Sequence, residues 1–77
     1  MTDLILVEWL DHCSWAGGPW STLKDLKDLK PQVITSVGYL VVEEENYITI
    51  ASTVGDDMYS GDTCILKSCI TKRRKLK

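Results

Sequence analysis

The chain contains no phenylalanine, a single histidine and two prolines, and its three cysteines are an odd number. Each shortage narrows the function. Three cysteines cannot form a fully paired disulfide framework, and they fit a reducing cytosol. The one histidine, His12, adjoins Cys13, and adjacent residues of a strand point to opposite faces, so the two cannot easily pair. A nucleophile–base pair also needs an orienting group and an oxyanion site, and the sequence shows neither. Cys13, Cys64 and Cys69 with His12 lack the C-x-x-C clamp of a structural zinc site. We therefore expect no catalytic residue, no metal and no cofactor: this is not an enzyme.

Long apolar runs are missing too. The first, Leu4 to Val7, is closed by Glu8 and Asp11, far short of the roughly 20 residues of a membrane span. No signal segment and no membrane partner are expected. Seventy-seven residues make a single small domain over 1–77. Such a chain buries only about 60% of its unfolded surface, so it must pack well or share surface with copies of itself.

What is present reads as strands. The stretch from Val33 to Val54 gives two strands around the turn Glu43–Asn46, with Ile34, Leu40, Val42, Ile48 and Ile50 facing inward. Gly38, in mid-strand, marks a bulge or sharp bend. A first strand runs from Leu4 to Asp11, a fourth from Thr63 to Lys67, and a fifth from Ile70 to Lys75 after a tight turn at Lys67-Ser68-Cys69. Ser21-Thr22 caps a helix of about two turns, and Pro31 stops it. Leu23, Leu26 and Leu29 form its apolar stripe. So short a helix does not hold alone in water, and the stripe is expected to pack on the sheet. The expected fold is all-β, a five-stranded small barrel of the SH3/Sm-like type with one short α-helix inserted between strands 1 and 2.

The formal charge of −2 conceals an asymmetry. Lys72, Arg73, Arg74, Lys75 and Lys77 crowd the last six positions, and residues 1–71 hold four lysines against eleven acids. An acidic body makes RNA an unlikely partner, because phosphate affinity grows with the cations presented on one surface. The basic end is either a solvated strand end or an anion site. If the strand runs on to Lys75, Lys72 and Arg74 share one face, and Lys67 and Ser68 add donors at the turn. Trp15 and Trp20 flank Gly17-Gly18-Pro19 in a loop, where two indoles either cap the core or form a stacking wall for a base. Trp9, inside the first strand, reads as core.

Several stretches together resemble a family of small uncharacterised bacteriophage proteins. They are Trp9-x-Asp11, Lys30-Pro31, Ser36-Val37-Gly38-Tyr39-Leu40, Ile48-x-Ile50-Ala51-Ser52 and Ile65-x-Lys67-Ser68-Cys69-Ile70. The resemblance spans nearly the whole chain, with Leu66 where the family commonly has proline. It implies a viral protein in the cytoplasm of an infected host cell, and it brings no catalytic residue with it. The expected function is non-enzymatic counter-defence: a homo-oligomer that sequesters an anionic, nucleotide-derived immune signal, such as a cyclic nucleotide. Its expected ligand-binding residues are Trp15, Trp20, Lys67, Ser68, Lys72 and Arg74. The alternatives are an inhibitor module that binds a host protein and an Sm-like RNA-binding ring.

Overall fold

In the computed structural model, which describes residues 3–12 and 18–77, the strands are β1 (Leu4–Asp11), β2 (Gln32–Glu43), β3 (Tyr47–Val54), β4 (Tyr59–Leu66) and β5 (Ile70–Lys75). They form one antiparallel sheet in the order β4-β3-β2-β1-β5. Strands β1 and β5 coincide with the stretches chosen from sequence, and Lys67–Cys69 is the tight turn between β4 and β5, in 3-10 form. The fourth strand begins earlier than its sequence suggests. Gly55 donates to the Met58 carbonyl at 2.8 Å and Asp57 takes φ 55°, so a four-residue turn lets pairing restart at Val54–Tyr59. Ser60-Gly61-Asp62 thus lies in a strand and not in a loop.

The sheet is strongly coiled but not closed: among the described residues no ladder joins β4 to β5. The two strands lie at opposite edges of five, which in a flat sheet would stand roughly 19 Å apart. Three residues in a 3-10 turn span far less than that. The sheet therefore curls until its edges approach at that turn. A barrel in the strict sense, with every edge paired, is not formed.

Ile5, Val7, Ile48, Ile50 and Ile65 make the buried cluster, and Trp9, Leu40 and Ile70 pack against it. Trp9 also donates its indole N–H to Ser36 Oγ at 3.0 Å, so it is core with its polar atom satisfied. Four of the five hairpin positions expected inside are buried or half-buried. Val42 is exposed. The register between β2 and β3 slips between Leu40 and Val42, and that bulge moves Val42 to the outer face beside Thr49 and turns Glu43 inward beside Ile48. Gly38, where the bend was expected, pairs regularly with Ile5. Its need for glycine is a close approach by the backbone of β3 at Ala51.

The helix departs most from expectation. α1 (Leu23–Lys27) is a single turn with a complete capping box: Asp25 N–H donates to Thr22 Oγ1 at 3.2 Å, and Thr22 N–H donates to the Asp25 carboxylate at 3.0 Å. None of its residues is buried, and Leu23 and Leu26 face water. Leu23 and Leu26 of the expected stripe do not pack on the sheet, whereas Leu29, beyond the helix, is half-buried beside His12 and Pro31. Segment 18–30 is an arm, held where it leaves the sheet at Pro31. Beyond Ala51 the β3–β4 hairpin leaves β2 and continues as an exposed two-stranded ribbon. These projections explain a radius of gyration of 15.7 Å, well above the roughly 11–12 Å of a compact chain this long.

Candidate functional site

Strand alternation sorts the cations of β5 onto two faces. Arg73 and Lys75 lie opposite Val7 and Ile5, the inner phase of β1, whereas Lys72 and Arg74 lie opposite Glu8 and Leu6 on the outer phase. The inner set is occupied by carboxylates. Arg73 donates both guanidinium nitrogens to Glu43, at 2.8 and 2.9 Å, and Lys67 Nζ approaches the same carboxylate at 3.0 Å. Lys75 meets Asp3 at 3.4 Å. The β2 bulge is what aims Glu43 at Arg73. Two cations on one carboxylate, Arg73 foremost, hold its pKa down to about 2 and raise that of Arg73 further.

A depressed carboxylate pKa contributes stability that is present above the unfolded value of 4.5 and is lost as pH falls towards 2. The cluster should thus stay intact at neutral pH and come apart only in strong acid. Following the Glu43 carboxyl carbon by NMR should give a midpoint near 2, moving up towards 4.5 in Arg73→Gln. A wild-type midpoint at the ordinary value would show that the fork does not form in solution.

The outer set is different. Lys72 and Arg74 are exposed, and among the described residues neither joins an ion pair. Cross-strand register places them in two rows: Arg74–Leu6–Val37 and Lys72–Glu8–Thr35. The rows combine two cations, an apolar floor and one acceptor carboxylate. Chemically, this suits an anion attached to an apolar or flat body, with Glu8 working against the anion.

The six expected site residues are therefore not gathered in one chain. Lys72 and Arg74 stand together. Lys67 is bound to Glu43, and Ser68 lies exposed in the 3-10 turn. Trp20 is exposed on the arm, and Trp15 lies outside the described residues. Sequence reasoning missed Glu43, read only as part of a turn, and the apolar outer stripe of β1 and β2.

His12, Cys64 and Cys69 do approach one another. With Trp9 they line a cavity of about 230 Å³ where the edge of β4 faces the end of β1. Cys64 is exposed and Cys69 half-buried. Among the described residues, no three His, Cys, Asp or Glu side chains are placed to hold a metal ion, and no helix is long and apolar enough to cross a membrane. Compared with known protein families, with curated proteins and with solved structures, the chain matches none.

Proposed function

We propose that this protein is a non-enzymatic binding protein that captures a phosphate-bearing, nucleotide-derived ligand on the outer face of its coiled sheet. The sheet serves as an incompletely closed SH3/Sm-like barrel that carries the site. One observation bears the reading: Lys72 and Arg74 lie on one face of β5 and, among the described residues, join no ion pair, while Lys67, Arg73 and Lys75 each do. Arg74 and Lys72 take the phosphate, Arg as a two-pronged donor and Lys as a point charge. The row from Leu6 to Val37 offers the apolar floor. Trp20 supplies the stacking surface for the base. The resemblance to phage proteins gives the setting, the cytoplasm of an infected host cell, where a stoichiometric sponge for an immune signal acts without catalysis.

Lys72→Gln with Arg74→Gln is the test. Wild-type protein is incubated with a small-molecule extract of bacterial cells and weighed by native mass spectrometry. The expected result is a retained mass of a few hundred daltons that the double variant loses, with an unchanged denaturation midpoint, because exposed charges add little stability. Glu8→Gln should increase retention by removing the opposing carboxylate. High salt should mimic the double variant. Retention that survives the double change, or a wild type that retains nothing, ends this reading.

A second reading is favoured by a separate observation. Val54, Met58 and Tyr59 are exposed at the tip of the β3–β4 ribbon next to Asp56 and Asp57, and Met58 and Tyr59 line a shallow apolar hollow there. An apolar tip with acidic neighbours suits a host protein that presents a basic rim. Under that reading, Met58→Asp removes the partner, and the β5 variants are silent.

A further inference from the structure

Two apolar surfaces of this chain stand uncovered, and each fits the other. The first is the arm, where Trp20 is 89% exposed, Leu23 67% and Leu26 51%. The second is the outer stripe of β1 and β2, where Leu10 lies opposite Val33 and Leu6 opposite Val37, with Val33 65% and Val37 50% exposed. A one-turn helix with no buried residue has no reason to persist in water, even with a complete capping box. Something must receive its leucines. Its own sheet does not.

We infer that the receiver is a second copy. In a two-fold dimer the arm of one protomer lies across the outer face of its partner, seats Leu23 and Leu26 on the stripe, and carries Trp20 to the partner's Lys72 and Arg74. The symmetry makes the exchange reciprocal, so both faces are covered at once. Two arms on two faces remove on the order of 1,200 Å² from water, at the lower limit for a specific interface. The dimer is accordingly dissociable and strengthened by ligand. Reach also agrees. From β2 across β1 to β5 is about 10 Å, and Leu26 to Trp20 spans roughly 10–15 Å as one helical turn plus three extended residues.

This assignment rests on the anion-site reading above and completes it. Within one chain Trp20 and the two cations belong to separate elements, and among the described residues no hydrogen bond or ion pair links the arm to β5. Across the dimer they form one site, with the indole from one protomer and the cations from the other.

Sedimentation over a range of concentrations tests the dimer without any ligand. Wild type should dimerise, whereas Leu23→Asp/Leu26→Asp and Val33→Lys/Val37→Lys should each stay monomeric alone. Mixed, the two should associate more weakly than wild type but measurably more than either variant alone, because one of the two arm–face contacts, about half of the interface, is intact. A wild type that stays monomeric, or dimerises equally well in either variant, overturns the inference.

Capture of the extract-derived ligand tests the shared site. Trp20→Ala and Lys72→Gln/Arg74→Gln should each lose it alone, and their mixture should regain about a quarter of wild-type retention, since half the dimers are mixed and each has one intact site. No recovery on mixing, with wild-type capture intact, places Trp20 and the cations in one chain and overturns the shared site. The two readings fail separately: dimers without capture remove the anion reading, and capture by monomers removes the exchanged arm.

Discussion

Ile48→Ala is expected to destabilise the fold by about 2–5 kcal/mol, the usual cost of emptying a buried branched side chain. Ile48 is fully buried, at 0% exposure, and sits in register between Glu43 of β2 and Ile65 of β4. Among the described residues its buried cluster has four other members, with Trp9, Leu40 and Ile70 packed against it, so the cavity has few neighbours able to collapse into it. A chain of this length has on the order of 4–12 kcal/mol of total stability. The single change therefore removes a large fraction of the folded state. Urea titration followed by circular dichroism is the measurement, with Thr49→Ala as the control. Thr49 is only half-buried on the opposite phase of the same strand, and its truncation should move the midpoint little. Ile50→Ala should behave like Ile48→Ala. Equal shifts for Ile48 and Thr49 would mean that the core lies on the other phase of β3, and the assignment of inner and outer faces would fall with it.

That assignment was legible in the sequence wherever alternation was unbroken. Tyr47–Val54 carries a period-two pattern that fixes phase as well as position, and Ile48 and Ile50 follow from it, whereas the run Leu4–Val7 is apolar on both faces and locates β1 without fixing its phase. The pattern stops informing at β2. Val33, Val37 and Tyr39 are apolar on the outer phase while Ile34 and Leu40 are apolar on the inner one, so both faces read as core. A bulge at Val41 leaves no compositional mark, and it alone decides that Val42 faces out and Glu43 faces Arg73.

The site was legible by half. Lys72 and Arg74 follow from alternation along β5, because period two is a local property. Lys67 does not, because its partner Glu43 lies 24 positions earlier and meets it through the pairing of β3 with both β2 and β4, where the Lys67 N–H donates to the Asn46 carbonyl. The arm shows the same limit from the other side. Capping, stripe and proline stop all locate α1, since they are local signals, but the surface that receives the leucines is not encoded next to them. A sequence states that a stripe must be covered. It does not state by which surface.

Gly38→Val is expected to open the sheet between β2 and β3. A Cβ built on Gly38 would stand 3.0 Å from the carbonyl oxygen of Ala51 and 3.2 Å from Cβ of Ile50. The first of these is backbone, held in the β2–β3 and β3–β4 ladders through Ala51, which pairs with Tyr39 on one side and Asp62 on the other. It cannot retreat as the end of a flexible side chain can. Glycine in a strand ordinarily weakens it by roughly 0.5–1 kcal/mol against alanine, so on propensity alone a β-branched residue should stabilise this position. Overpacking costs about 1–3 kcal/mol and more where backbone must move, so the clash wins and the sign reverses. Gly38→Ala should show the same sign with a smaller shift. Gly55→Ala supplies the contrast, since the nearest atom to its added Cβ is the Met58 carbonyl oxygen at an ordinary 3.8 Å. Hydrogen exchange separates clash from global weakening: in Gly38→Val the amides of β2 and β3 near Tyr39 and Ala51 should lose protection first, while the β1–β5 ladder keeps its own. If Gly38→Val is as stable as wild type, the strands do not approach this closely.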